Sequence, residues 1–127
     1  MAQLTDRQQA LLKSKNFAVV ATVGDGGRPQ TSVVWVDTDG EHVVFNTTNK
    51  RAKGRNLRSN PRVSVSVWDN GDPYSYFEVQ GRAELSEEGA AEHINELSHK
   101  YAGKDFDSPV DRVIVRVRPE RILDHLD

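Results

Sequence analysis

The chain has 127 residues, 17 of them basic and 19 acidic, for a formal net charge of -2, and no cysteine. This length suits one domain around a single core, residues 1–127. The missing thiols exclude disulfides, thiolate metal sites and cysteine nucleophiles, and the near balance of charge argues against a general nucleic-acid binder. There is no apolar run near the roughly 20 residues of a membrane span, and "MAQLTDRQQALLKSK" is too polar for a secretory leader. The expectation is a soluble cytoplasmic protein with neither a membrane nor a nucleic-acid partner.

In chain order, Thr5 followed by Gln8 has the spacing of a capping box and predicts a short helix to about Ser14. "FAVVATV" (Phe17 to Val23) is β-branched and nearly continuous in apolar character, as a strand buried on both faces would be. "QTSVVWVDTDGEHVVFNT" reads as two strands joined by a two-residue type I′ turn at Asp39 and Gly40. "RVSVSVW" alternates strictly, and "YSYFEVQGRAEL" is a further strand with Gly81 at a bulge or bend. Ser86 is placed to cap the next helix, where Ala90, Ile94, Leu97 and Tyr101 form one apolar stripe and Gly103 ends it. "DRVIVRVRPERI" supplies the last strand. The sum is a mainly β (α+β) chain, a six-stranded antiparallel barrel with short helices at its ends.

One stretch breaks the even distribution of charge. "FNTTNKRAKGRNLRSNPRVSV" carries Lys50, Arg51, Lys53, Arg55, Arg58 and Arg62 between two strands. Pro61 disfavours helix in the residue before it, so the intervening helix ends near Asn60. Its first amides lack intrahelical partners and its dipole is positive there, so with Lys50, Arg51 and Lys53 the helix start suits a phosphate or carboxylate. Thr47 and Thr48 offer hydroxyl donors. Arg51, Arg55, Arg58 and Arg62 share one helical face, which is either an ordinary solvated face or a track for a longer polyanion.

No catalytic constellation accompanies this anion site. His42, His93, His99 and His125 have no metal-ligand spacing, so no metal is expected, and "GDGG" lacks the Lys-Ser/Thr of a phosphate-binding P-loop. No catalytic residue is named from the sequence. Any chemistry then belongs to a bound cofactor.

Two blocks, "GRPQTSVVWVDTDGEHVVFNTTNKRAKGRNLRSNPRVSVSVW" and "YFEVQGRAEL", resemble the pyridoxamine 5′-phosphate oxidase-like split β-barrel flavoproteins. Within them they are most similar to the branch that uses the deazaflavin coenzyme F420. The oxidase itself carries an Arg-Lys pair where Ala52 and Lys53 stand here, which argues against pyridoxamine phosphate as substrate. The resemblance implies an FMN-binding type of split barrel. Arg51 and Lys53 would hold the cofactor phosphate, joined by Lys50, Thr47 and Thr48, and Pro29, Gln30, Thr31, Ser32 and Val33 would run along the ring edge. It also implies a homodimer with the cofactor at the interface, where Tyr74 and Tyr76 reach the partner's pocket; the alternative reading of these tyrosines is as cross-strand pairs. Trp35 and Trp68 suit either a ring contact or the core. The function implied is an F420-dependent oxidoreductase passing a hydride between the deazaflavin and a small conjugated substrate. Alternatives are an FMN-binding oxidase-like flavoprotein, or a cofactor carrier without turnover of its own.

Overall fold

A computed structural model describes residues 2–107 and 109–127. The elements are α1 (Asp6–Lys13), β1 (Phe17–Val23), β2 (Pro29–Trp35), β3 (Asp37–Thr38), β4 (Val43–Thr48), α2 (Ala52–Ser59), β5 (Arg62–Asp69), β6 (Asp72–Ser86), α3 (Ala90–Ala102) and β7 (Arg112–His125), with one 3-10 turn at Asp25–Gly27. All strand pairs are antiparallel, in the order β2-β1-β5-β6-β7-β4-β3. The first and last strands of that order, β2 and β3, are separated in the chain only by Val36. The sheet therefore curls until its two edges meet through one residue, and the seam between β2 and β4 stays unpaired along most of its length. This is a split barrel.

Seven strands replace the six expected, and the extra one explains a second difference. β2 pairs with β1, whereas only Asp37 and Thr38 pair with β4. The segment read as one hairpin thus changes partner at Val36, and its turn has four residues, Asp39 to His42. The Asp39 carboxylate accepts the Glu41 and His42 amides at 3.0 and 2.8 Å, organising a wider turn than a two-residue one, and only Gly40 takes a positive φ of 96°. Local turn residues were legible; the pairing was set by the closure of the sheet.

The barrel interior is filled mainly by one alternating face: Ala18 and Val20 of β1, Val63, Val65 and Val67 of β5, Phe77 and Val79 of β6, and Val113, Val115 and Val117 of β7, with Phe45 between them. α1 and α2 contribute Leu12 and Leu57 to the same core. The capping box is present, with Thr5 Oγ1 accepting the Gln8 amide at 3.1 Å and Gln8 Oε1 accepting the Thr5 amide at 2.9 Å. α3 lies outside the barrel, where Ile94, Leu97 and Tyr101 pack with Phe17, Trp35 and Phe106. It begins at Gly89, in the left-handed region at φ 74°, and not at Ser86, because β6 runs on through Ser86. Gly103 ends it as expected, its amide donating to Ser98 and His99 carbonyls.

β1 is buried at alternate positions and not on both faces. Its outward residues Val19, Ala21 and Val23 stand beside Val33, Thr31 and Pro29 of β2, and Val33 is 64% exposed. Gly81 sits at a register shift between β6 and β7, and a Cβ there would lie 2.0 Å from the Arg118 carbonyl, so only glycine admits the approach. Among the described residues no helix is long and apolar enough to cross a membrane.

Candidate functional site

The seam between β2 and β4 opens into a cleft of about 240 Å³. One wall is apolar: Phe17 of β1, Val33, Val34 and Trp35 of β2, Ile94 and Leu97 of α3, and Phe106 beyond it. Trp35 is fixed from behind by Tyr101, stacked at 5.4 Å with only 4° between the rings, and from its edge by Phe106. The other wall is polar and carries Asn46, Arg51, Lys53 and Arg112. Every charged residue lining the cleft is basic.

Local structure explains how these cations are brought together. β4 ends at Thr48, whose Oγ1 accepts the Arg51 amide at 3.2 Å and turns the chain into α2. Gly54 then permits α2 to lie against the end of β4, since a Cβ at this position would be 2.1 Å from the Thr48 carbonyl oxygen. Arg51 is the N-cap residue, no side chain caps the helix start, and Lys53 is drawn inward until it is 7% exposed. Helix α2 stops at Ser59 and the Asn60 amide donates to the Asn56 carbonyl, immediately before Pro61. Arg112 arrives from the start of β7, paired with Thr48 across the ladder. Its guanidinium lies 5.1 Å over the Phe106 ring and its Nε donates to Asn46 Oδ1 at 2.8 Å.

The electrostatics are uncompensated. Among the described residues no carboxylate pairs with Lys53, Arg51 or Arg112. Burial lowers the Lys53 pKa from its ordinary value, and the positive Arg51 and Arg112 lower it further. Burial, then Arg51, lowers that of Arg112. A buried ammonium without a counter-charge is costly, and an anion in the cleft removes that cost. Two further groups are left over: Ser32 Oγ and Thr47 Oγ1 are buried with no hydrogen-bond partner in the protein. Buried hydroxyls are normally satisfied. The lining, three cations beside an apolar aromatic wall, fits a phosphorylated molecule with a flat ring.

Of the residues singled out in the sequence, Val33, Arg51 and Lys53 line the cleft together. Ser32 and Thr47 carry the unpartnered hydroxyls but do not line the cleft, and Thr48 shapes the turn. Gln30 bonds locally, its Nε2 donating to the Thr31 carbonyl at 3.2 Å, while Pro29 and Thr31 are exposed on the outer face of β2. Lys50 turns away to Asp111 at 3.3 Å. Tyr76 stacks on His125 at 4.8 Å, opposite Trp68 on the neighbouring strand, and Tyr74 is 86% exposed; neither lines the cleft of its own chain. Arg112 and Asn46 were missed. Arg112 reads as one more exposed position of an alternating strand, and only the β4–β7 register puts it beside Lys53.

The split barrel and its cationic seam define a class of small barrels with an anion-suited cleft where the sheet fails to close. A family model described as pyridoxamine 5′-phosphate oxidase matches residues 4–126, and the chain belongs to that family. A curated pyridoxine/pyridoxamine 5′-phosphate oxidase of Myxococcus xanthus is 41% identical over 69 residues, 53% of this chain. The match takes in 34% of that protein, about a third of the curated relative's own length. Among solved structures, an F420 reductase is 35% identical with a TM-score of 0.81, over 91% of this chain and 94% of the other. A conserved hypothetical protein of Mycobacterium tuberculosis is 26% identical with a TM-score of 0.76, over 98% of this chain and 89% of the other.

Proposed function

We propose that this protein is a coenzyme F420-dependent oxidoreductase that transfers a hydride between the deazaflavin and a small conjugated organic substrate. The observation that carries the reading is the buried Lys53, flanked by Arg51 and Arg112 and facing no acid. The similarity to an F420 reductase along nearly the whole of both chains supports the deazaflavin over FMN. In this reading Arg51, Lys53 and Arg112 hold the phosphate, with Thr47 and the start of α2 beside them. Val33 and Trp35 border the ring and exclude water from it. The bound deazaflavin supplies the hydride chemistry, and the chain supplies orientation and electrostatics.

The same reading includes a homodimer. Half-buried Val19, Ala21 and Val23 of β1 and exposed Val33 and Pro29 of β2 form an outer strip, apolar except at Thr31, and such a strip is suited to burial by a second copy. Tyr74 and Tyr76, unused by their own cleft, are then available to the partner's.

The test is a titration of the purified protein with coenzyme F420 and with FMN, alongside light scattering. Tighter binding of F420 by a dimer is expected. Tight FMN binding without F420 binding would favour the oxidase-like flavoprotein, and binding of neither would remove the redox reading.

A further inference from the structure

Asn46 stands between two openings. Its Oδ1 accepts from Arg112 Nε at 2.8 Å, on the side of the cationic cleft. Its Nδ2 lies 3.0 Å from the Ala90 carbonyl oxygen and 3.0 Å from His93 Nδ1. His93 borders a second groove, between α3 and the β4–β7 pair. This set of partners permits one proton assignment. A guanidinium only donates and a carbonyl only accepts, so the Asn46 oxygen must face Arg112 and its nitrogen must face Ala90. The second amide hydrogen then points to His93 Nδ1, which must be bare, leaving Nε2 to carry the imidazole proton.

We propose that His93 is a positioning residue for the anion cleft: as the neutral Nε2–H tautomer it fixes the Asn46 amide, and Asn46 in turn holds the Arg112 guanidinium on the cleft. This rests on the reading of that cleft as the cofactor site. A proton on Nδ1 sets N–H against NH2. The amide must then release His93 or turn over, and turning over opposes its NH2 to Arg112 and its oxygen to the Ala90 carbonyl. Turning over breaks the bond to Arg112, and release leaves the amide nitrogen held at Ala90 alone, so in either case Arg112 is held less firmly.

The surroundings keep His93 in the required form. Burial and the positive Arg116 and Arg112 of β7 oppose its charging, Asp37 of β3 favours it, and the balance holds its pKa below the ordinary 6.5. Asp39 and Glu96 border the same groove. The direction of the effect on binding is diagnostic. Acting through space alone, a protonated His93 adds positive charge and strengthens anion binding; acting through Asn46, it weakens it.

Two measurements test this. Nitrogen NMR of the imidazoles in the cofactor-free protein reads the tautomer directly, and a bare Nδ1 persisting below the ordinary histidine range is expected. A proton on Nδ1 at about pH 8 overturns the proposal whatever the cofactor. Affinities for F420 and FMN are then compared between wild type and His93→Asn, whose Oδ1 is an acceptor that does not titrate in this range. Across the pH range in which the NMR titration shows His93 taking up its proton, the wild type should lose about fivefold relative to His93→Asn, the ligand's own titration cancelling in the ratio. His93→Ala should already be weaker by about threefold or more at the upper pH. A ratio that stays flat, or that moves toward tighter wild-type binding in acid, overturns the positioning role while leaving the cofactor reading intact. Failure of the wild type to bind either cofactor removes both.

Discussion

Two lysines are drawn into this small protein, and they are treated in opposite ways. Lys100 of α3 has its Nζ 2.7 Å from the Leu12 carbonyl, 2.7 Å from the Val36 carbonyl and 3.4 Å from Asp37 Oδ2. Lys53 of α2 is more deeply enclosed and meets only other cations. Burial lowers the pKa of both, but the next cause differs in sign: Asp37 raises that of Lys100, whereas Arg51 lowers that of Lys53 further. The first lysine joins the C-terminal end of α1 to the β2–β3 link and stabilises the fold. The second faces no counter-charge among the described residues. A buried charge that is fully partnered reports on architecture, and one that is not reports on a ligand.

The largest effect expected from this contrast is on the partnered side. Lys100→Met keeps much of the side-chain volume but leaves the Leu12 and Val36 carbonyls without their charged donor, at a cost of about 2 to 4 kcal/mol. In a chain of this size that lowers Tm by on the order of 10 °C, readable by calorimetry. The corresponding Lys53→Met should leave the stability of the cofactor-free protein unchanged or raise it by up to about 1 kcal/mol, because it removes a charge that nothing compensates. Its cofactor affinity should fall at least about tenfold. A clear drop in Tm for Lys53→Met with intact binding would reverse the assignment of the two lysines.

How far the sequence carried this contrast depends on the range of the interactions. The capping box at Thr5 and Gln8, the end of α2 before Pro61, the bulge at Gly81 and the basic start of α2 are all local, and all were readable. So was the overall class, because alternation and turn residues repeat along the chain. The partner exchange at Val36 was not readable, since the same residues fit a hairpin until the closing sheet assigns β2 to β1. Arg112 and Asn46 belong to the site only through the β4–β7 register, between segments about 66 residues apart. For the same reason Lys100 and Lys53 look alike in sequence: each is a lysine in a short helix, and their difference lies in what other strands bring to them.

Tyr101 offers a smaller and pH-dependent way to sharpen the partnered side. Its hydroxyl accepts the Val36 amide at 3.1 Å and lies on the Asn16 and Val36 carbonyls, to one of which it donates. Burial, with a contribution from Asp37 and against the Val36 amide, raises its pKa from 10.0 to about 12. A raised folded-state value means that the neutral phenol contributes stability fully below the unfolded value and loses it as pH climbs toward the folded one. Stability should therefore decline between pH 10 and about 12. Tyr101→Phe should cost about 1 kcal/mol near neutral pH and flatten that part of the alkaline profile, as followed by denaturant titration. An alkaline decline of equal size in Tyr101→Phe would place its origin elsewhere.

The smallest effect expected lies on the outer arginines of α2, and it tests where the ligand region stops. Arg58 is exposed, with Nε donating to Asn49 Oδ1 at 2.9 Å and a guanidinium nitrogen 3.5 Å from Glu87. Arg55 is exposed and turns back to the Lys50 carbonyl. Unlike Lys53, both already have partners within the chain, and solvent screens what they contribute. Replacing either with alanine should change stability by no more than about 0.5 kcal/mol and affinity for FMN by less than about threefold. The same is expected for coenzyme F420, whose acidic tail is the feature that FMN lacks. A selective tenfold loss for F420 in Arg55→Ala or Arg58→Ala, with FMN unaffected, would extend the unpartnered region along α2 and make their local hydrogen bonds a resting arrangement that the tail displaces.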